Sequence, residues 1–448
     1  MLRSAAFASA ALAAAASAGT AAAAAAGASV AGSDAHAGAT PAAAAPRGTS
    51  AFFYAWYGTP EVDGRWLHWD HSLLPHWTAE VRARFPPESV RYVPPDDVHA
   101  AFYPLRGPYS SRDAAVLRAQ FAEMRGRGGV DTAVVSWWGR PDGSSRGDSQ
   151  GVVTDAVLRG ILDAALGAGV AVALHLEPYE GRCVESLRLD LAYLADTYFA
   201  HPALARRPTR LGDEAVPWLF VYDAYHIPAE EWARLLRPGG DVSVRGGALD
   251  AHFMGLWLAG ADGEALDAGG FDGAYSYFAT DGFSHGATSA HWPQMAAFLR
   301  ARGMAFSPTV GPGYDDSRIR PWNTANRRAR EAGAYYARMW EAALASGADE
   351  VSVTSWNEWG EGTQIEPAVA RRVDVAALAP LGRCLNESLR AQIGLAADGR
   401  YADYDDAGGP FAYLDATRAF AERLDVARAA RAGAHDGADA GGGERTDL

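Results

Sequence analysis

Glu350-Val351-Ser352-Val353-Thr354-Ser355-Trp356-Asn357-Glu358-Trp359-Gly360-Glu361-Gly362 is the stretch that decides the fold. A short β-branched and apolar run passes straight into a turn that carries two carboxylates three residues apart. Buried parallel strands read as such unbroken apolar runs. A strand whose C-terminal end bears polar chemistry is the mark of an α/β barrel. The same form recurs upstream, at 51–57, 132–138, 170–178, 217–223, 252–258, 273–278 and 305–310, which with 350–356 makes eight runs. Helical patterns at 114–127, 155–168, 186–198, 230–236, 289–302 and 325–345 lie between most of them, and 409–424 closes the series. The expectation is a single (β/α)8 TIM barrel over 48–425, with a doubly wound sheet as the alternative.

The run ends agree with one another. They place Tyr57, Trp66, His68, Trp69 and His71 after the first strand, and Trp137-Trp138 at the second. His175-Leu176-Glu177-Pro178-Tyr179 ends the third, Tyr222-Asp223 the fourth and Tyr277 the sixth. In a barrel these ends form one mouth, lined with aromatic rings and carboxylates. Glu358 and Glu361 in one buried pocket would raise each other's proton affinity, leaving one acid and one base near neutrality. Glycosidic cleavage needs that pair. Solvated loop glutamates are the plain alternative, and Glu177 beside His175 reads equally as a salt-bridge partner or a site residue.

Composition excludes several classes. The chain has 448 residues, 49% of them hydrophobic, so a wholly disordered chain is ruled out. Its net charge of −14 argues against nonspecific nucleic-acid binding. Fourteen Trp and 18 Tyr suit a groove that stacks the flat faces of sugar rings. No H-E-x-x-H, paired C-x-x-C or phosphate loop is present, so neither a metal nor an organic cofactor is expected. Gly282-Phe283-Ser284-His285-Gly286 matches the nucleophile-elbow pattern, but no histidine stands suitably downstream to complete a triad.

The ends differ from the middle. Residues 1–47 start with Arg3, run through Ala-rich sequence, and carry no acid before Asp34, as a secretory signal or anchor plus linker would. Any membrane attachment is expected through this segment alone, and the Golgi lumen or the outside of the cell is the expected location. Residues 426–448 lack apolar periodicity and read as a disordered tail. Cys183 and Cys384 leave one bridge or two thiols open, and Asn386-Glu387-Ser388 is a glycosylation sequon.

These motifs together resemble glycoside hydrolase family 99, the endo-α-mannosidases. The resemblance spans about 52–424 and rests on Tyr54-Ala55-Trp56-Tyr57-Gly58, Arg65-Trp66-Leu67-His68-Trp69, Pro94-Pro95-Asp96-Asp97 and Gly107-Pro108-Tyr109-Ser110-Ser111-Arg112-Asp113. It continues through His175-Leu176-Glu177-Pro178-Tyr179, Tyr275-Ser276-Tyr277-Phe278-Ala279, Gly311-Pro312-Gly313-Tyr314 and Ile319-Arg320-Pro321-Trp322-Asn323 to Asn357-Glu358-Trp359-Gly360-Glu361-Gly362-Thr363-Gln364-Ile365-Glu366. It implies a retaining enzyme that cuts internal α-1,2-mannosidic bonds of high-mannose N-glycans or α-mannan and acts as a monomer. By position it makes Glu361 the general acid. Glu358 becomes the base that draws a proton from the substrate's 2-hydroxyl, through a 1,2-anhydro sugar. It further implies sugar contacts from Tyr57, His68, Trp138, His175, Glu177, Tyr277, Arg320, Trp322 and Asn357. Trp138 falls where some members carry Trp and animal-type ones Tyr. Gly360 departs from the His of many members, although both carboxylates are kept. A catalytically inactive glycan-binding barrel is the alternative.

Overall fold

The computed structural model describes residues 48–87, 90, 92–143, 147–373 and 400–440. Its strands are β1 (Thr49–Phe53), β2 (Thr132–Trp137), β3 (Ala171–Leu176), β4 (Arg206–Thr209), β5 (Gly212–Val221), β6 (His252–Leu256), β7 (Gly273–Tyr275), β8 (Ala305–Ser307), β9 (Thr309–Val310) and β10 (Val351–Val353). Neighbouring strands follow the order β8-β7-β6-β5-β3-β2-β1-β10-β9, all parallel along this path. β8 and β9 are two halves of one strand, broken at Pro308, which has no N–H for the ladder. The first half pairs with β7 and the second with β10, so the path returns on itself as an eight-stranded barrel. Each of the eight apolar runs contributes one strand of the ring.

β1, β2, β3 and β6 are buried along their whole length, as strands covered by helices outside and side chains inside must be. Phe52 sits amid the filling, its ring centroid 4.9 Å from His175, 5.0 Å from Tyr277, 5.7 Å from Tyr275 and 5.8 Å from Phe220. Beside these large rings the hydroxyl of Ser352 meets those of Ser307 at 3.1 Å and Thr309 at 2.8 Å. Such mixing of large and small inward side chains fills a barrel of this size. Outside, Asp155–Ala168 buries Val157, Leu158, Ile161, Leu162 and Ala165 at helical spacing. The helix Ala114–Glu123 starts where the Asp113 carboxylate accepts the N–H of Ala115 at 2.7 Å.

Three local differences from the sequence reading have physical causes. The antiparallel hairpin β4–β5 and the helix Asp262–Gly269 are short and rich in glycine or charge, so neither shows a periodic apolar face. The helix expected from 325 begins at Ala334, because Pro321–Asn326 is a 3₁₀ segment tied to the site described below. At the C-terminal end one helix runs Ala412–Ala440, so the closing segment extends past Leu424. Phe420 stacks on Trp340 at 5.4 Å, and Thr417 bonds Tyr336 at 2.9 Å. Further on, Arg431 donates to Ala348 O and Asp349 Oδ1, each at 2.9 Å. Polar anchoring carries the helix on where apolar spacing stops. Residues 1–47, Cys384 and Asn386-Glu387-Ser388 lie outside the described residues. Among the described residues no helix is long and apolar enough to cross a membrane.

Candidate active site

The chain leaves β10 in a tight turn made by its own polar side chains. Ser355 donates its N–H to Thr363 O at 2.8 Å, and its hydroxyl accepts the N–H of Glu358 at 2.7 Å. Gly362 closes the turn at φ 63°, with its Cα so near Asp315 that an added Cβ would stand 2.8 Å from Asp315 O. Asn357 clips the turn to the first strand's end: its Oδ1 accepts Tyr54 N at 2.7 Å and its Nδ2 donates to Tyr54 O at 2.8 Å. Tyr57 donates its hydroxyl to Asn357 O at 2.8 Å and accepts the N–H of Trp359 at 3.1 Å. Behind the turn, fully buried Glu366 accepts from Tyr109 at 2.6 Å, Gln120 at 2.8 Å and Trp359 Nε1 at 3.1 Å.

This turn brings Glu358 and Glu361 to one mouth. Burial, and then the charge of Glu361, raise the proton affinity of Glu358 well above that of an ordinary glutamate, with Arg320 opposing. Arg320 Nη1 lies 2.8 Å from Glu361 Oε1 and 3.3 Å from Asp316 Oδ2. Burial pushes Asp316 up to about 6, although Arg320 and the Asn323 amide, 2.8 Å away, draw it down. The protonated form of Glu358 is therefore favoured beside the Glu361 carboxylate.

Around the pair, Tyr54 and Tyr277 meet hydroxyl to hydroxyl. Both are kept neutral, first by burial and then by nearby charge. His175 Nε2 meets the Tyr275 hydroxyl at 2.8 Å and its Nδ1 lies 3.0 Å from Glu177 Oε1, while Ser136 donates to that carboxylate at 2.8 Å. His68 stacks on Trp56 at 4.4 Å and meets Asp148 Oδ2 at 2.7 Å. Burial favours protonating Asp148, but His68 and two backbone N–H groups hold it below the usual carboxylate range. His68 (φ 59°), Asp223 (φ 50°) and Tyr277 (φ 57°) all adopt left-handed backbone, a concentration typical of working sites. A cleft opens beside Glu361 between Tyr277, Phe278, Tyr314, Arg320 and Asn323.

Not every residue singled out from sequence meets this mouth in the same way. Asn357 is fully buried with its amide committed to Tyr54, so it holds the turn rather than facing the opening. Trp138 lies at the end of β2, its N–H on Thr154 Oγ1 at 3.1 Å, and Trp322 packs away from the pair against His76 and Phe85. Sequence reading missed Tyr54, Asp148 and Asp316. The Asp316/Arg320 spacing of four residues was a usable sign, whereas Asp148 sits in a Gly/Ser-rich loop with none. Ser284, in the elbow-like stretch, accepts the N–H of Ala287 at 3.0 Å, a local turn bond. Among the described residues no group of three or more His, Cys, Asp or Glu side chains could hold a metal ion.

The family profile described as glycosyl hydrolase family 99 matches residues 47–382. The chain belongs to that family. It is 41% identical to a glycoprotein endo-alpha-1,2-mannosidase of Rattus norvegicus over 72% of this chain and 68% of the relative. With the Xenopus laevis protein of the same name the identity is 43%, over 72% of this chain and 70% of that one. The GH99 endo-alpha-mannosidase from Bacteroides thetaiotaomicron superposes with a TM-score of 0.70 at 34% identity, covering 86% of this chain and 99% of that structure. The protein is thus a glycoside hydrolase, and its barrel is the family 99 barrel.

Within this family 99 enzyme, a side chain at position 360 would meet steric resistance. A Cβ there would stand 2.9 Å from His99 Nε2 and 3.2 Å from Ile319 Cδ1. His99, 3% exposed and anchored by its N–H to Trp69 O at 3.0 Å, already fills the space. Gly360→His should therefore cost roughly 1–3 kcal/mol by overpacking and lower turnover. Gly360→His with His99→Gly should recover much of both, a coupling readable from denaturation midpoints and kcat/KM. Purely additive losses would show that His99 and residue 360 do not compete for one space.

Proposed function

We propose that the chain is a retaining, endo-acting α-mannosidase that cuts internal α-1,2-mannosidic bonds of high-mannose N-glycans or α-mannan. The reading is carried by two glutamates on one turn, one desolvated and the other held by Arg320. Relatives named for endo-α-1,2-mannosidase activity supply the bond type. Glu358 takes the proton of the substrate's 2-hydroxyl, whose oxygen attacks the anomeric carbon as the glycosidic bond breaks. Glu361 gives its proton to the departing oxygen. Water then opens the resulting 1,2-anhydro sugar: Glu361 accepts the water's proton and Glu358 returns one to the 2-oxygen. Two inversions leave the anomeric configuration retained, and both carboxylates end as they began. No metal or organic cofactor takes part in these steps. With the N-terminal segment as its signal or anchor, the enzyme works in the secretory pathway or outside the cell, as a monomer.

The electrostatics tilt the other way, since Arg320 pairs with Glu361 at 2.8 Å and burial favours the proton on Glu358. That supports a second reading with the two roles exchanged. Under the first, a sugar 2-hydroxyl donating to Glu358 stabilises charge there, leaving Glu361 to act as the acid. Glu361→Gln should lower turnover of natural glycans by roughly 10²–10⁴-fold, and far less for a substrate with an activated leaving group. Glu358→Gln should impair both substrates. Removing the Glu361 charge also lowers the proton affinity of Glu358, so the acid limb of residual activity should shift to lower pH. If Glu358→Gln alone is spared by the activated substrate, the exchanged roles hold.

Trp138 supports a sugar preference at the non-reducing subsite. An indole offers one N–H and is otherwise apolar. A glucose there would lose hydration of its equatorial 2-hydroxyl without gaining a partner, costing roughly 1–3 kcal/mol, whereas mannose presents a C–H. Mannosyl-α-1,3-mannosyl fluoride should be preferred over its glucosyl counterpart by roughly 10–200-fold in kcat/KM. Trp138→Tyr should narrow that ratio. Equal rates in the unaltered enzyme would contradict the assignment.

A further inference from the structure

Trp77 is 47% exposed, the one aromatic side chain among the large apolar residues exposed in the described part of the chain. It is nonetheless fixed. Its ring stacks on His76 with centroids 3.7 Å apart and planes at 27°. His76 is held in turn: its Nδ1 accepts from Thr78 N at 3.0 Å and faces Thr78 Oγ1 at 2.9 Å. Arg82 Nε donates to His76 O at 3.1 Å. Trp322 meets His76 at 5.5 Å and 82°, so the three rings form one packed cluster whose outer shelf is the Trp77 face that His76 leaves uncovered.

The shelf is attached to the catalytic centre. Leu74 N donates to Ile319 O at 2.8 Å, which binds the loop to the segment that carries Arg320. That segment has two sides. Arg320 and Asn323 line the cavity beside Glu361, whereas Trp322, between them in sequence, packs against His76 and Phe85. The shelf is therefore backed by the same segment that forms the cavity wall on the Glu361 side. An exposed but immobilised indole presents a flat apolar face already paid for in side-chain entropy, the surface that the C–H face of a pyranose covers.

We propose that Trp77, backed by His76 and braced behind it by Trp322, is an additional sugar-binding subsite. It stacks a mannosyl unit of the same substrate chain, beyond the sugar that occupies the cavity beside Glu361. This rests on the mannan- or glycan-cutting activity proposed above, because an enzyme that cuts within a chain must hold the chain on both sides of the bond.

The test compares a mannobiosyl fluoride, too short to span both places, with a long α-mannan chain, using the full-length protein and Trp77→Ala. The ratio of kcat/KM for the long chain to that for the short one should fall about tenfold, carried by KM, equivalent to ~1.4 kcal/mol. Trp77→Phe, which keeps a flat ring, should restore most of the ratio. An unchanged ratio in Trp77→Ala, or a Trp77→Phe as impaired as Trp77→Ala, overturns the proposal. Binding of the long chain to Glu361→Gln with and without Trp77→Ala, followed by calorimetric titration, gives an independent reading. If the unaltered enzyme hydrolyses neither substrate, the proposed activity fails, while a loss of long-chain affinity on removing Trp77 still supports the shelf and its absence still refutes it.

Discussion

Two carboxylates held close together in a buried mouth cannot both be charged without a cation beside them. Arg320 is that cation, and much of the surrounding structure serves to hold it and the two glutamates in register. Its guanidinium bridges Glu361 and Asp316, and Asp316 is steadied by Tyr314 and Asn323 at 2.8 Å each. The 3₁₀ segment Pro321–Asn326 carries Asn323 to Asp316, and the helix expected from 325 starts only at Ala334.

The second requirement is stiffness. Asn357, Tyr57 and Glu366 reach the opening little or not at all, yet they hold the turn that aims Glu358 and Glu361. Each satisfies buried polar groups that would otherwise be costly. The network also joins β10 to the end of β1, the seam at which the barrel closes. Closing the barrel and shaping the site are therefore one set of bonds, which explains why a short strand of three residues suffices there.

The ring of eight strands was legible because a strand buried on both faces must be apolar throughout, and the mouth was legible because polar side chains gathered at the ends of those runs. The hairpin β4–β5 and the short helix Asp262–Gly269 left no comparable trace, since their stability comes from neighbours. The continuation of the last helix to Ala440 was hidden for the same reason: Arg431 reaches Asp349, 82 positions earlier, a contact no periodicity encodes. At the site, residue types were readable but assignments were not. Asn357 carries the right chemistry for a sugar contact and uses it on the backbone of Tyr54. Asp148 acts through His68, a pairing that only the folded loops create.

The central claim is that the chain cuts within an α-mannosyl chain with retention. Digestion of a defined high-mannose N-glycan, followed by proton NMR of the first-formed product, tests it most directly. The account expects an oligosaccharide of two or more sugars, released initially as the α-anomer. Release of single mannose units, or of a β-anomer as first product, would contradict it.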